Sequence, residues 1–507
     1  MAAPDDAKIS AGALAALPEN VLLDVFSRLS TKDLFLLAIT SRWWLRLFSN
    51  RTDPAFLQRL CLLPEKGGPD RVTALPDDVL VEVFSRVRDV KSLFRCAATC
   101  KRWLHLFTDR AFLRLLWPET DRARLRGLFV KGPDPNTRRI FVPRPDSPLG
   151  FDDCHRITSL ALDNHHDERD LLASSRGLIL RQIVTTTCCF GSRTEIVISD
   201  PITGARGEFA PPSDCHCLHG YVGGHAIFTD ADLDNTEHPS TRRRHSTFSR
   251  LLLIGYHEDD QRLHQHVHSY SGVTGQWSRH GAIRHRARLR MTGARAGVLH
   301  QGAAHWLYSD ETISVSVPHD KRELYMLTAE AATGRVSLTK LPIKAASGLP
   351  YVCINRDDRL SVACVHSTHI DVWVQQQDED NSGSLAPWFL AKVFGKNCWA
   401  LSQVIKLVPA TAPANENFMS GKWFHFNKGA MMAVYGGNGV FILDLETMAM
   451  EKIMDLSQCA PSYGYYMCVP YEMDLPEFFI GQLSRGHDSN REETRVPWRW
   501  PFGRLLT

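Results

Sequence analysis

The sequence predicts a multidomain α + all-β chain, in which tandem three-helix units at the N-terminus precede a β-propeller-like domain of antiparallel strands. Three observations predict this arrangement. A motif at residues 17–28 returns at residues 75–86, and helical periodicity ends near residue 150. Beyond that point, short β-branched runs followed by a turn recur at a loose period of about 55 to 60 residues.

Length and composition indicate a folded chain. The 507 residues are enough for two or three domains. With 44% hydrophobic and 23% charged residues, the composition is that of a globular protein and excludes a largely disordered one. A formal charge of +3 is far below what a dedicated nucleic-acid binder needs, so we expect no nucleic-acid partner.

Cysteine usage and the apolar runs bear on the compartment. The 13 cysteines are scattered from Cys61 to Cys468, unlike a compact disulfide framework, which predicts a reducing, intracellular environment in the cytoplasm or nucleus. Asp5 and Asp6 stand where a secretory signal carries positive charge, so we expect no such signal. No run of about 18 apolar residues exists, and we therefore expect no membrane span.

Each copy of the N-terminal motif predicts three short helices. Pro18 and Pro76 stand where the first turn of a helix accepts proline, and carboxylates that suit the helix dipole follow them. In the second copy, five apolar residues then recur at helical spacing. They are Val79, Leu80, Val83, Phe84 and Val87. The predicted first unit spans 14–62, a linker spans 63–71, and the second unit spans 72–118.

The rest of the chain divides by composition. An Arg- and Pro-rich stretch at 119–150 is predicted to be a solvated linker. Strand-forming segments then occupy 151–480, the predicted β-propeller-like domain. Residues 481–507 are predicted to be a tail, in which Trp498 and Trp500 either dock back on the body or serve a partner.

A turn signature recurs after strand-like runs in the C-terminal region. It begins at Asp200, Ser271, Ala331 and Asp444, with a threonine two or three residues later in each case. The last interval is about twice the others, which is typical of propeller blades with loop insertions. A β-sandwich or two stacked sheets stays open as an alternative, because the repeat is degenerate.

The sequence carries none of the familiar catalytic motifs. It has no Gly-rich phosphate loop, no His-Glu-x-x-His, no Gly-x-Ser-x-Gly and no Rossmann fingerprint after a strand. The chain is therefore not expected to be an enzyme, and no cofactor is expected.

Two histidine-rich segments contain candidate metal ligands. Cys215, His216, Cys217 and His219 crowd one segment, but adjacent residues point apart, unlike the usual paired spacing of zinc ligands. Alternating histidines at 264–268 would share one face of a strand. We expect ordinary buried cysteines and exposed strand histidines here, and no metal site.

The helical units contain more apolar residues than one small core absorbs, particularly over residues 89–107. A unit of about 45 residues buries too little surface to be stable comfortably by itself. Together these features predict a partner surface.

The second helical unit resembles an F-box, whose pattern is Leu-Pro, an apolar helix and a final Cys-Lys-x-Trp. Leu75-Pro76 begins the match and Cys100-Lys101-Arg102-Trp103 ends it. The first copy is similar but has Ser41-Arg42-Trp43-Trp44 at the matching place. The strand-rich remainder resembles the β-propeller-like associated region of plant F-box proteins, through residues 171–178 and 298–307.

The resemblance implies a substrate receptor of an SCF (Skp, cullin, F-box) ubiquitin ligase. The boxes would dock on a Skp-type adaptor and, through it, on cullin, while the C-terminal domain would hold an unknown target protein. The adaptor-binding residues implied in the second box are Leu75, Pro76, Leu80, Val83, Phe84, Leu93, Phe94, Ala97, Cys100 and Trp103. Those implied in the first box are Leu17, Pro18, Leu22, Phe26 and Trp44.

Two other functions remain open. One is an F-box protein that works outside the ligase as a Skp-bound scaffold. The other is an enzyme hidden in the strand-rich domain, for example a hydrolase that uses the His- and Cys-rich loops. Fold-level analogy alone does not separate these possibilities.

The two boxes differ in one informative position. Ser41 places a hydroxyl where the second box has Cys100, and a buried hydroxyl without a partner costs roughly 1 to 3 kcal/mol. Trp43 also replaces a cation that could stay solvated. We therefore expect the second box to be the principal adaptor site.

Overall fold

The computed structural model divides the chain into two units, residues Met1–Pro118 and Glu119–Thr507. In the first unit it describes residues 84, 93–94, 96–97 and 101–117. In the second unit it describes residues 125–131, 140–145, 147, 149, 154, 157, 168–187, 191–202, 205–212, 223–233, 248–259, 262–283, 289–310, 323–344, 348–376, 399–406, 421–435, 439–456 and 467–485. The boundary between the units falls at the predicted end of the second helical segment.

The described part of the first unit is helical. Helix α1 spans Lys101–Leu106 and helix α2 spans Arg110–Leu116. The Asp109 side chain caps α2 by accepting a hydrogen bond of 2.9 Å from the Ala111 backbone N–H. Phe84 and Leu93 also lie in helical conformation. The first predicted three-helix unit and most of the second lie outside the described residues.

The second unit contains 24 described strands in six antiparallel sheets, which we call blades 1 to 6. The strands before blade 1 are β1 Leu125–Lys131 and β2 Ile140–Pro143. Blade 1 comprises β3 Glu168–Ser175, β4 Leu178–Thr187, β5 Gly191–Ser199 and β6 Arg206–Phe209. Blade 2 comprises β7 Gly224–Thr229, β8 Phe248–Asp259, β9 Arg262–Ser271 and β10 Trp277–Ile283. Helix α3, Asp230–Leu233, follows β7.

Blade 3 has a divided first strand. Strands β11 Leu289–Thr292 and β12 Val298–His300 both pair with β13 Ala303–Asp310. Strands β14 Glu323–Glu330 and β15 Val336–Lys344 complete it. Blade 4 comprises β16 Leu349–Ile354, β17 Leu360–Val365, β18 His369–Gln375 and β19 Trp399–Lys406. Blade 5 comprises β20 Lys422–Asn427, β21 Ala430–Tyr435, β22 Gly439–Asp444 and β23 Met450–Met454.

Blade 6 is assembled from both ends of the unit. Strand β24, Met467–Glu472, pairs with β1, which in turn pairs with β2. Ring contacts join the three strands: the centroid of Phe129 lies 5.1 Å from that of Phe141 and 5.9 Å from that of Tyr471. The buried Arg126 guanidinium also donates a hydrogen bond of 3.0 Å to the Met473 carbonyl. Helix α4, Leu475–Arg485, follows β24.

This pairing corrects the domain boundaries predicted from the sequence. Residues 119–150 were expected to be a solvated linker, yet they supply two strands of blade 6. The Arg and Pro content of residues 119–150 concealed the strand β1, which is buried over residues 125–130 and pairs both with β2 and with β24, more than 300 residues away. Helix α4 also extends into the predicted tail. The propeller-like architecture itself is confirmed, and the alternative of a sandwich or two stacked sheets is wrong.

The recurring turn has one position in the blades. The turns beginning at Asp200, Ser271, Glu330 and Asp444 each join the third and fourth strands of a blade. In every case the first residue donates a backbone hydrogen bond to the carbonyl five residues later, at 2.8 to 3.1 Å. Blade 4 has a longer connection at this place, between β18 and β19, which accounts for the doubled interval.

The hydrophobic core lies between neighbouring blades rather than at one centre. Separate clusters of buried residues join blades 1 and 2, 2 and 3, 3 and 4, 4 and 5, and 5 and 6. Blades 6 and 1 are joined by the Gly177 backbone N–H, which donates to the Glu472 carbonyl at 2.7 Å. Each blade is therefore buried on two faces, which explains why strands such as β21 are apolar throughout.

No helix among the described residues is long and apolar enough to cross a membrane.

Closure through β1 predicts a specific stability effect. Leu128 is fully buried in the cluster between blades 5 and 6, whereas Ile140 on β2 is 38% exposed. Leu128→Ala is expected to lower the free energy of unfolding by about 2 to 5 kcal/mol, and Ile140→Ala by less than about 1 kcal/mol. Chemical denaturation of the full chain measures both; an equally small effect would mean that the segment is a linker after all.

The recurring turn predicts a second difference. Gly275 and Gly334 occupy equivalent turn positions with φ of +67° and +71°. Alanine at either place should cost about 1 kcal/mol because the left-handed conformation crowds Cβ. At Gly334 the new Cβ would also lie 2.1 Å from His280 Nδ1, whereas the nearest atom at Gly275 is 3.6 Å away. Gly334→Ala should therefore be the more destabilising in urea unfolding, and equal losses would contradict the contact.

Candidate functional site

The six blades enclose a cavity of about 410 Å³ on the axis of the second unit. In every blade, the cavity is lined by residues of one strand, which we call the first strand: β3, β7, β12, β16, β20 and, in blade 6, β24. Closure of the ring brings these six strands together. One residue from each blade in order is Ser174, Ala226, Val298, Tyr351, Phe424 and Val469. This volume is within the range of pockets that hold a small molecule or a few side chains of a bound chain.

A short backbone segment between β11 and β12 narrows the cavity. Ala294 to Gly297 all line it. The His225 N–H donates to the Arg295 carbonyl at 3.1 Å, and the Gly297 N–H donates to the His225 carbonyl at 2.8 Å. The Trp306 indole also donates to the Arg295 carbonyl at 3.1 Å. These bonds fix the segment, so the interruption of the first strand in blade 3 shapes the site.

The charged groups of the cavity are balanced. Three basic residues and three acidic residues line it, the latter being Asp232, Glu472 and Asp474. Arg176 pairs with Asp232 at 2.9 Å, and Lys428 pairs with Asp358 at 2.7 Å. The site therefore favours recognition by shape and hydrogen bonds over recognition of a strongly charged ligand.

Two of the cavity residues are deeply buried histidines. Burial lowers the pKa of His225 to about 4, with a contact to the Leu172 backbone offsetting part of the effect. Burial also lowers the pKa of His305 to about 4, and the nearby His300 adds to the shift. The His305 Nδ1 lies 3.1 Å from the Thr328 hydroxyl oxygen. Both rings are neutral at pH 7 and can donate or accept hydrogen bonds inside the cavity.

The described residues of the second box form a compact aromatic core. The Phe84 ring centroid lies 5.1 Å from that of Trp103, 4.9 Å from that of Phe107 and 6.2 Å from that of Phe112. Phe84 is only 1% exposed. These rings therefore stabilise the helical unit itself.

Of the fifteen residues predicted to bind the adaptor, five are described. Phe84, Leu93, Ala97 and Trp103 are buried, and Phe94 is half-buried. The other ten lie outside the described residues, namely Leu17, Pro18, Leu22, Phe26, Trp44, Leu75, Pro76, Leu80, Val83 and Cys100. Their adaptor-binding role stays a prediction.

The structure describes one of the two histidine-rich segments that the sequence offered as metal ligands. The cluster at 215–219 lies outside the described residues. On β9, His266 and His268 are buried, so the expectation of exposed strand histidines is wrong for both. The Arg279 guanidinium on β10 reaches to within 2.8 Å of His266 Nε2, although the residue opposite Arg279 in the strand register is His268.

Sequence reasoning did not find the axial cavity. Its lining comes from segments as far apart as Leu172 and Asp474. No local pattern marks such residues, because only ring closure places the first strands side by side. The one available signal was the blade repeat, which indicates a propeller-like ring but gives neither the number of blades nor the side chains that meet at the axis.

Comparison with protein families identifies the N-terminal unit. An F-box-like family profile matches residues 14–62 and 72–115, which together make up less than a fifth of the chain. The chain thus carries two F-box-like segments in tandem, followed by a six-bladed β-propeller-like region. This confirms the resemblance of the two N-terminal segments to F-boxes, while the resemblance of the strand-rich remainder to the associated region of plant F-box proteins stays a prediction. No curated protein matches the chain.

The solved structures similar to this chain are distant, and two of those given below are β-propeller domains by their descriptions. An acylaminoacyl peptidase from Pyrococcus horikoshii is 9% identical with a TM-score of 0.30, and the match covers 55% of this chain but only 38% of that one. The β-propeller domain of the trilobed protease from Pyrococcus furiosus is 8% identical with a TM-score of 0.29, over 57% and 83% of the two chains. The β-propeller domain of Cps50 (Swd1) from Myceliophteria thermophila is 11% identical with a TM-score of 0.26, over 56% and 87%. The fold assignment rests on the strand pairing and not on these scores.

The buried histidines predict how stability depends on pH. Their pKa values of about 4 lie below the ordinary value of 6.5, so the unfolded chain binds more protons between these two values. Stability is therefore full above about pH 6.5 and is lost as the pH falls toward 4. For each ring the loss between pH 7 and pH 5 is on the order of 2 kcal/mol.

The contribution of one ring is measurable by substitution. His225→Gln removes one titrating group, so the loss of unfolding free energy between pH 7 and pH 5 should shrink by roughly one ring's share. Denaturant unfolding of the full chain at a series of pH values measures the slope. The control is His105→Gln, an exposed residue of α1. An unchanged slope in the His225 variant would refute the assignment.

Proposed function

We propose that the protein is the substrate-recognition subunit of an SCF-type ubiquitin ligase. The observation that carries the proposal is the pair of F-box-like segments ahead of a propeller with a cavity on its axis. F-box segments generally dock on Skp-type adaptors, and a separate folded domain with a concave site suits a second partner. On this proposal the protein is a binding subunit in the cytoplasm or nucleus and has no catalytic residue of its own.

The two units would bind different partners. The F-box-like segments bind the Skp-type adaptor and, through it, cullin. The propeller holds the target protein at the axial cavity, where neutral histidines and backbone groups offer hydrogen bonds between apolar walls. Because the basic and acidic groups there are equal in number, the target segment is expected to be mixed in character rather than strongly acidic or basic.

A scaffold function outside the ligase is the second candidate. It would keep the Skp-type adaptor but not cullin. Purification of the full chain from cells with its native partners distinguishes the two, since a ligase receptor brings down cullin and a scaffold does not.

Target binding is tested with the ligase held inactive. Arg295 and Lys428 line the cavity, so the pair Arg295→Glu and Lys428→Glu should remove proteins that depend on it while adaptor binding is kept. The matched control is Lys452→Glu on β23, where the side chain is exposed and away from the cavity lining. Loss of the same proteins in the control, or no loss in the cavity variant, would contradict the axial site.

The ranking of the two boxes gives a further prediction. One variant carries Leu22→Ala and Trp44→Ala, and the other carries Leu80→Ala and Trp103→Ala. The second pair is expected to weaken adaptor binding more, by on the order of 2 kcal/mol or more, as loss of buried anchors does. Titration with purified adaptor measures the effect.

Folding must be separated from binding in this experiment. Trp103 packs on Phe84, so its removal also weakens the helical core. Phe94→Ala, at a half-buried position, supplies a milder variant whose helix content is compared by circular dichroism. An equal loss from both pairs, or a larger loss from the first, would reverse the ranking.

A further inference from the structure

The β17–β18 hairpin of blade 4 gathers three potential metal ligands on one face. In a strand, residues two apart share a face, so His369 and Asp371 on β18 point the same way. The His366 N–H donates to the His369 carbonyl at 2.8 Å, which closes the hairpin and sets these two residues opposite each other. The pattern His-x-x-His-x-Asp is therefore converted into a three-residue cluster by a tight turn. It was not among the histidine groups weighed from the sequence.

The distances within the cluster suit one ion. The ligand atoms of His366, His369 and Asp371 all lie within 4.8 Å of one another. The His366 Nε2 is 3.3 Å from one Asp371 carboxylate oxygen, and the His369 Nε2 is 3.6 Å from the other. Ligands at zinc bond lengths of about 2.0 to 2.2 Å in a tetrahedron stand about 3.3 to 3.6 Å apart. The two nitrogen–oxygen separations therefore match those between ligands of a tetrahedral zinc site.

The two imidazole rings of the cluster lie against each other. The His366 and His369 ring centroids are 4.3 Å apart with an interplanar angle of 11°. Both rings therefore lie close enough to Asp371 to offer nitrogen atoms beside its carboxylate.

The residues around the cluster define its open side. His366 is 8% exposed, and His369 and Asp371 are half-buried, so the site lies at the edge of the blade with access to solvent. Cys364 lies opposite Asp371 in the hairpin, but it is only 2% exposed and packs in the cluster of buried residues between blades 3 and 4. Among the described residues, the ligand atoms that lie together are those of His366, His369 and Asp371, which gives three protein ligands and one open position.

We propose that His366, His369 and Asp371 bind a divalent transition-metal ion, for which zinc is the best match. Two imidazoles and one carboxylate are the donor types that zinc accepts in sites with an open fourth position. The ion would neutralise the Asp371 carboxylate and tie the two strands of the hairpin together. This inference is independent of the ligase proposal.

The test uses the full chain, freed of metal with a chelator. Zinc is titrated in competition with a chromophoric chelator, and cobalt is titrated separately while its visible absorption is recorded. We expect wild-type protein to bind zinc at this site and to give a cobalt spectrum of tetrahedral nitrogen and oxygen ligation, without a thiolate charge-transfer band. Changes that only reorient ligands cost about 10- to 100-fold in metal affinity. His369→Gln and Asp371→Asn are therefore each expected to weaken this site at least tenfold.

The control is Lys406→Ala. Lys406 pairs with His369 across β18 and β19, but lysine is not among the residues that ordinarily bind zinc, so zinc affinity should be retained. The partly exposed His369 and Asp371 are chosen over His366 so that the variants keep the blade intact, which far-ultraviolet circular dichroism checks. The proposal is overturned if wild-type protein and the two ligand variants bind zinc with equal affinity and stoichiometry. It is also overturned if the cobalt spectrum shows thiolate ligation that both variants keep.

Discussion

The antiparallel pairing of β1 with β24 is the constraint on which the second unit depends. It joins residues near 127 to residues near 471 and turns a row of sheets into a closed ring. Closing so long a loop costs conformational entropy, but each doubling of loop length adds only about 0.6 kcal/mol. The contacts of the Phe129 aromatic ring with those of Phe141 and Tyr471 offset this cost, together with the buried hydrogen bond that Arg126 donates to the Met473 carbonyl.

Closure also explains where the core and the cavity lie. Each blade is a sheet with two apolar faces, and the neighbouring blades pack against both of them. Apolar clusters therefore form between blades. The first strands cannot all meet at the axis, because their side chains and backbone need room. The remaining space is the cavity, and the backbone segment that carries Arg295 fills part of it. Closure of the six blades therefore creates a potential binding site, and the divided first strand of blade 3 sets part of its shape.

Polar groups inside this architecture have specific consequences. His225 and His305 are kept neutral by burial, which ties the stability of the ring to pH while leaving polar groups within the cavity. At the edge of blade 4, the turn between His366 and His369 brings imidazoles and a carboxylate together where solvent can reach them. The helical unit is different, because its described aromatic residues serve mainly its own small core.

The sequence by itself determined the strand-rich character of the C-terminal region, the duplicated F-box-like segments and the blade repeat. These depend on local periodicity and on turn chemistry, as the equivalent hydrogen bonds at Ser271 and Glu330 show. Only the tertiary structure decided that residues 125–143 are strands of blade 6, that six first strands enclose a cavity, and that His266 is buried. The physical reason is that the first two depend on pairing between segments distant in the chain, while the burial of His266 depends on which side chains of the folded domain pack over its face of β9. A strand's alternation records which faces are covered, but not which distant strand supplies the hydrogen bonds at its edge.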